Sequence, residues 1–332
     1  LHDALPIFSL RQPLYQPAVP AAVRAQRAML EGEQAATRQL ARELRRDVSL
    51  AYLEWLRALR ARSVLESTRT VLEENLRVNE SLLRNGRITE DQVLRADSER
   101  LAVQQQLREA EGAITQARNA VNFLVNRPLD APLEAARDPQ AASPGAESRA
   151  DQSQSRPEFT RAGALAAAAA AQQQVARAAL RPSLALGVDA GTQGASFQFG
   201  PGYNYSAASL VFSWKFFDGG ANRAEAARAG LALRQARLQQ QALVQQIGLE
   251  RQQAEDRLAV ARDSLSVAAA RTAAARAALR IAARKRDAGA VSQVEFLDAQ
   301  REATGAELAL VATRFAVMQR EIELAFAAGL LP

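Results

Sequence analysis

The segment RDAGAVSQVEFLDAQ, residues 286–300, interrupts helix-forming sequence at Gly289 and then sets two carboxylates, Glu295 and Asp298, three residues apart. That spacing puts both acids on one face of a helix. Enzymatic chemistry has nothing to pair with them. The chain has no cysteine, and its one histidine is His2, far from any other reactive group. No Ser-His or Cys-His pair, metal-ligand cluster or Gly-rich phosphate loop after a strand can be picked out. The DGG at 218–220 precedes a helix but lacks the lysine and spacing of a phosphate loop, so it reads as a strand-to-helix turn. No catalytic residue, metal or cofactor is expected, and what remains for the two acids is electrostatics.

The simplest electrostatic role is local. Ser292 follows Gly289 by three residues and opens the next helix, where its hydroxyl can accept from a free first-turn N–H. Glu295 then sits at the positive end of the helix dipole. The same arrangement occurs earlier in the chain. NGRITEDQVLRADSER (85–100) aligns with AGAVSQVEFLDAQREA (288–303) at an offset of 202–203 residues, placing Gly86 on Gly289 and Thr89 on Ser292. LRQPLYQP (10–17) aligns with FSWKFFDG (212–219), and an alanine- and arginine-rich helix follows both. Self-similarity at a fixed period defines the architecture before any other signal. Each unit reads as strand, long helix, Gly-containing turn, long helix.

No proline stands between Pro20 and Pro128. Val103, Leu107, Ala110, Ile114, Ala117, Val121 and Leu124 keep the 4-3-4-3 spacing of a coiled-coil seam. The helix before it, roughly 21–84, carries Leu40, Leu44, Tyr52, Trp55, Leu72, Leu76 and Leu83, and would span on the order of 95 Å. Two strands alternate with a period of two. In 183–191, Leu184, Leu186 and Val188 alternate with Ser183, Ala185, Gly187 and Asp189. In 209–217, Leu210, Phe212, Trp214 and Phe216 alternate with Ser209, Val211, Ser213 and Lys215. Between them, Phe197, Phe199, Tyr203 and Tyr205 could form the interfacial girdle of a transmembrane barrel; the other reading is a soluble hairpin packed on a helix. Residues 128–157 hold five of the twelve prolines and read as a linker.

The net charge of +6 and a pI near 10.3 would permit nucleic-acid binding. The 42 basic residues are spread along the chain among 36 acids, however, which is the pattern of solvated helix faces, so no nucleic-acid partner is expected. No run approaches the length of a spanning helix, and ALAAAAAA at 164–171 reads as a tightly packed helix face. LHDALPIF has no periodicity, so residues 1–7 could be a non-native leader, and no export signal is visible.

Taken in order, LRQPLY, AYLEWLRALRARSVLESTRTVLEENL, the two hairpin turns, SRPEFTRAGALAAAAAAQQQVARAALRPSLALG, FSWKFFDGGANRAEAARAGLALRQAR and the ending AFAAGLLP resemble the TolC-like outer-membrane efflux proteins. The resemblance implies a mainly α chain with a few β-strands. Three copies would build an α-helical barrel topped by a transmembrane β-barrel in the outer membrane. The divisions would be a first repeat at 8–127, a linker at 128–157 and a second repeat at 158–332. The family pattern starts one strand earlier, which implies an amino-terminally truncated chain. The implied function is the passive exit duct of a tripartite efflux or type I secretion system. Its implied partners are a periplasmic adaptor, an inner-membrane transporter and outer-membrane lipid.

By the same resemblance, Leu184, Leu186, Val188, Leu210, Phe212, Trp214 and Phe216 would face lipid. Gly86, Thr89, Gly289 and Ser292 would form the adaptor-contacting hairpin tips. Glu295 and Asp298 would line a pore gate as two carboxylate rings that attract cations. The alternative is a periplasmic coiled-coil adaptor or structural protein, which explains the helices but not the alternating strands.

Overall fold

The computed structural model describes residues 4–135, 155–193, 200–202, 204–288 and 290–330. Its elements run β1 (Ala4–Tyr15), α1 (Ala18–Arg84), α2 (Glu90–Leu124), α3 (Pro157–Ala178), β2 (Ser183–Gln193), β3 (Asn204–Ser213), α4 (Ala221–Asp287) and α5 (Gln293–Ala327). The chain is mainly helical with a few strands, as expected. The repeat is visible in the boundaries: α1 and α4 start at 18 and 221 and end at 84 and 287, while α2 and α5 start at 90 and 293 and end at 124 and 327. Every boundary recurs at one offset.

The helix ends repeat too. Gly86 adopts φ +64°, and the Arg87 N–H donates to the Leu82 carbonyl at 2.9 Å, closing α1 with a left-handed cap that glycine takes without strain. One repeat later, the Ala290 N–H donates to the Lys285 carbonyl at 2.7 Å. Gly289 itself lies outside the described residues, as do 136–154 of the linker and Phe197, Phe199 and Tyr203 of the expected girdle.

The chain forms two compact units that cut across the repeats: Leu1–Gln39 with Ser155–Gln246, and Leu40–Gln154 with Ile247–Pro332. The first unit holds an antiparallel sheet of order β1-β2-β3. Leu184 pairs with Phe212, Leu186 with Leu210, Val188 with Leu10, and Ala190 with Phe8, so these residues share one face. The other face carries Ser9, Arg11, Asp189 and Ser209, and there the Ser9 hydroxyl donates to Asp189 Oδ1 at 2.7 Å. The alternation read from sequence is therefore an apolar face and a polar face.

Three details of the sheet differ from the expectation. β1 reaches back to Ala4, so Ala4, Leu5 and Pro6, which fall in the possible leader, pair with β2. Its register shifts fall between Pro6 and Phe8 and between Pro13 and Tyr15, beside prolines that cannot donate to a ladder. β3 was expected over 209–217 but spans 204–213, so Trp214 and Phe216 lie beyond its end. The cause is the turn that follows: Asp218 Oδ1 accepts from the Gly220 N–H at 3.0 Å and Oδ2 from the Asn222 N–H at 2.8 Å, committing the chain to α4. Tyr205, expected in the girdle, pairs with Gly191 and falls on the polar face.

Those amide bonds, the one from Asn222 foremost, hold the Asp218 carboxyl below its ordinary range. Being depressed in the folded state, the group contributes stability above its unfolded pKa and loses it as pH falls through the folded value. In the same unit, Ala21, Ala25 and Ala35 of α1 and Ala164, Ala166, Ala168 and Ala171 of α3 are buried, so the alanine run is a close-packed face.

The second unit is a helical bundle. Leu53, Trp55 and Leu56 of α1 pack with Ala117 of α2 and with Phe315, Met318 and Ile322 of α5. Leu65 and Leu72 pack with Val103, Leu107, Phe296 and Leu297, with Leu279 of α4 against them. Each such side chain contributes about 1.5–3 kcal/mol by leaving water. The 4-3-4-3 seam of α2 is met in Val103, Leu107, Ala117 and Val121, all buried, whereas Leu40 and Leu44 of α1 are exposed. The start of the linker is fastened to this unit, because the Asn122 side-chain amide donates to the Leu129 and Ala131 carbonyls and the Tyr52 hydroxyl to that of Glu134.

Candidate functional site

The α4–α5 turn positions the two acids as the spacing predicts. Phe296 and Leu297 are buried at 3% and 4% exposure, which drives Glu295 and Asp298 to the exposed side of α5. The Arg286 guanidinium lies 4.1 Å from the Phe296 ring centroid and also pairs with Asp287 at 2.8 Å, fastening the last turn of α4 to the first turns of α5. Ser292 is the N-cap, its Oγ accepting from the Glu295 N–H at 3.3 Å.

The matching cap of α2 is different. Thr89 occupies the N-cap position with extended backbone, but its hydroxyl donates to the Asp91 carboxylate and accepts no first-turn amide. Donating to that carboxylate leaves the hydroxyl's lone pairs free, yet no first-turn amide donates to them. The cap expected of Thr89 is therefore not made.

The acids are unequal as well. Asp298 Oδ1 accepts from Arg301 Nη1 at 2.8 Å, and Arg301 Nη2 reaches Glu99 on α2. Between them, with Glu99 the larger influence, the carboxylates push the Arg301 guanidinium further up, so it stays cationic. Farther along α5, Glu302 pairs with Arg271 at 2.7 Å and Glu307 with Arg276 at 2.6 Å. Among the described residues Glu295 is the acid of this stretch left without an ion pair. In the first repeat, Gln92 and Arg95 stand where Glu295 and Asp298 stand in the second. Arg301 was not singled out from sequence, although its place three residues after Asp298 was the available signal.

A second feature escaped the sequence reading. Gln293 Nε2 donates to Asn75 Oδ1 at 2.6 Å, Asn79 Nδ2 to the same oxygen at 3.2 Å, and Thr68 and Thr304 hydroxyls meet at 3.1 Å. Gln300 Nε2 donates to Thr304 at 3.2 Å. All six residues are buried, forming a neutral polar seam between α1 and α5. Leu65, Thr68, Leu72, Asn75 and Asn79 keep 3-4 spacing, so the seam was legible as a coiled-coil stripe had polar residues been admitted to it.

Among the described residues no helix is long and apolar enough to cross a membrane, and no cluster of acids or histidine could hold a metal ion. Long paired helices and a sheet with one apolar and one polar face are the features to be matched. The chain belongs to the outer membrane efflux protein family, which it matches over residues 7–127 and 150–330. No curated protein sequence matches it.

Solved channels share the fold. The outer membrane protein VceC from Vibrio cholerae is 20% identical with a TM-score of 0.84, over 97% of this chain and 78% of that one. For the open-state MtrE outer membrane channel of Neisseria gonorrhoeae the values are 21%, 0.82, 99% and 80%. For CusC they are 20%, 0.89, 96% and 76%. Family membership makes the protein an outer-membrane efflux channel, placed in the outer membrane and extending into the periplasm, and sets aside the adaptor alternative.

The caps give a direct test. Ser292→Ala should cost about 1 kcal/mol and speed amide exchange at Glu295, whereas Thr89→Ala should change α2 exchange little. Equal effects at both positions would contradict the difference in capping.

Proposed function

We propose that this chain is the passive exit duct of a tripartite efflux or type I secretion machine, assembled as a homotrimer. The observation that carries this is the two-faced sheet. Among the described strands, β1 and β3 each pair on one side only, and a sheet can sit in lipid only when such edges are closed. Other copies of the chain supply that closure. The helices then continue the wall as an α-helical barrel, an inner-membrane transporter supplies energy, and an adaptor joins the two.

In this reading Leu184, Leu186, Val188, Leu210 and Phe212 face lipid, and Ser183, Ser209 and Ser213 face the lumen. An arginine at Leu186 should cost about 2–4 kcal/mol of folding free energy in vesicles, and one at Ser209 much less. Equal tolerance on the two faces would end the barrel reading.

The turns at 86 and 289 are read as the periplasmic tips that meet the adaptor. Gly86 supports this, since nothing lies within 4 Å of where its Cβ would point. Glutamate or arginine at Gly86 should abolish export while the trimer persists on native gels. Adaptor crosslinks mapping to 128–135 instead would displace the contact.

Glu295 and Asp298 are read as the gate, two rings of three carboxylates where the helical barrel narrows. Like charges roughly 8 Å apart repel by only about 0.5 kcal/mol in water, so open rings are tolerable and become cation sites as the passage narrows. Glu295→Ala with Asp298→Ala should raise bilayer conductance and relieve block by multivalent cations. Because Arg301 offsets Asp298, Glu295→Ala alone should relieve more block than Asp298→Ala alone. Conductance and block unchanged in the double variant would place the gate elsewhere.

A further inference from the structure

The net charge of the chain is not shared between its two units. Residues 1–39 and 155–246 contain 13 arginines and lysines against 7 acids, so the whole +6 lies in the unit that carries the sheet. The other unit is neutral overall. Within the sheet, Arg11, Gly187 and Ser209 form one row across β1, β2 and β3 on the polar face. Arg11 is exposed and, among the described residues, has no ion pair. The next row is Ser9, Asp189 and Ala207, where the acid already accepts from the Ser9 hydroxyl at 2.7 Å. Between Arg11 and Ser209 the sheet offers only Gly187, and a Cβ there would stand 2.7 Å from Ser209 Oγ. The row is thus a cation, a gap and a hydroxyl.

We propose that this row is a binding notch for the anionic groups of exported solutes, carboxylate, sulfonate or phosphate, and that the sheet end of the duct favours anions. The proposal rests on the trimeric duct and on the polar face being its lumen, where three copies set three notches around one passage. The guanidinium supplies a permanent charge and a fork of N–H donors that matches an oxyanion. The Ser209 hydroxyl supplies one donor more. Gly187 leaves the oxyanion room to reach both, room that a side chain would fill. Asp189 lies roughly 7 Å along the strand and is engaged by Ser9, so it borders the notch without pairing with Arg11. The positive surplus of the unit acts in the same direction, because a charged wall of low dielectric concentrates counter-ions in the water it encloses. Lipid headgroups do not compete for the notch, since it lies on the face opposite Leu186 and Leu210.

The full chain would be reconstituted in planar bilayers and its current titrated with naphthalenetrisulfonate, a trianion at any working pH, added on the side of the sheet. Arg11→Gln should weaken the block roughly fivefold. Ser209→Ala and Gly187→Ala should weaken it by a smaller factor although neither changes the charge. Arg237→Gln removes the same charge from α4 and should leave the block as it is in the unaltered chain. In the chain with Glu295→Ala and Asp298→Ala the block should persist, which separates this site from the acids of α5.

Unchanged block in Arg11→Gln would overturn the notch. An equal loss in Arg237→Gln would overturn it too, assigning the block to the overall charge of the unit. A trimer that passes current but is not blocked by the trisulfonate overturns the proposal and leaves the duct standing. A trimer that passes no current in any variant overturns the duct reading and the proposal with it.

Discussion

Helix α5 is the piece against which the rest of the helical unit is placed. Phe296 and Leu297 enter a cluster with residues of α1 and α2, and Phe315, Met318 and Ile322 do the same farther along. Close packing of this kind fixes neighbours in position because a vacancy or an extra methylene is felt at once. Ala303 and Ala306 bring α4 in at Ala275, and the Thr272 hydroxyl crosses to the Ala306 carbonyl at 3.0 Å. The three contacts are of three kinds: neutral polar bonds to α1, backbone capture and exposed charge pairs to α4, and Arg301 to α2.

This constraint explains the differing exposure of residues that look alike in sequence. The buried stripe of α5 holds Gln293, Phe296, Leu297, Gln300 and Thr304, so the intervening Glu295 and Asp298 have only the outside to occupy. In the sequence only the place of Arg301, three residues after Asp298, distinguishes one acid from the other. What the sequence does not show is Glu99 on another helix, which pairs with the same Arg301 while Glu295 has no ion pair. Charge pairs between elements are set by packing, and packing is not local.

Much of the fold was legible because its signals are periodic. The repeat, the hairpin turns, the coiled-coil stripe of α2 and the alternation of β2 are properties of spacing, and spacing survives translation into structure. The end of β3 was not legible, since alternation runs on through Trp214 and Phe216 while the chain is already turning at Asp218. Ser292 and Thr89 also looked equivalent. One hydroxyl accepts a first-turn amide and the other donates to Asp91 instead, a difference of side-chain orientation that spacing does not record. The polar seam was missed for a simpler reason: Asn75, Asn79 and Thr68 sit at core spacing but are not apolar.

That seam bears on where the protein works. The periplasm exchanges small ions and protons freely with the surroundings, so its salt and acidity follow the weather outside the cell. Surface ion pairs such as Arg271–Glu302 weaken as ionic strength rises. Amide and hydroxyl groups such as Asn75, Gln293, Thr68 and Thr304 carry no charge to screen and no proton to gain or lose over that range. Along this stretch α1 and α5 are thereby held by groups whose bonds neither salt nor acid alters, whatever becomes of the charge pairs on the surface.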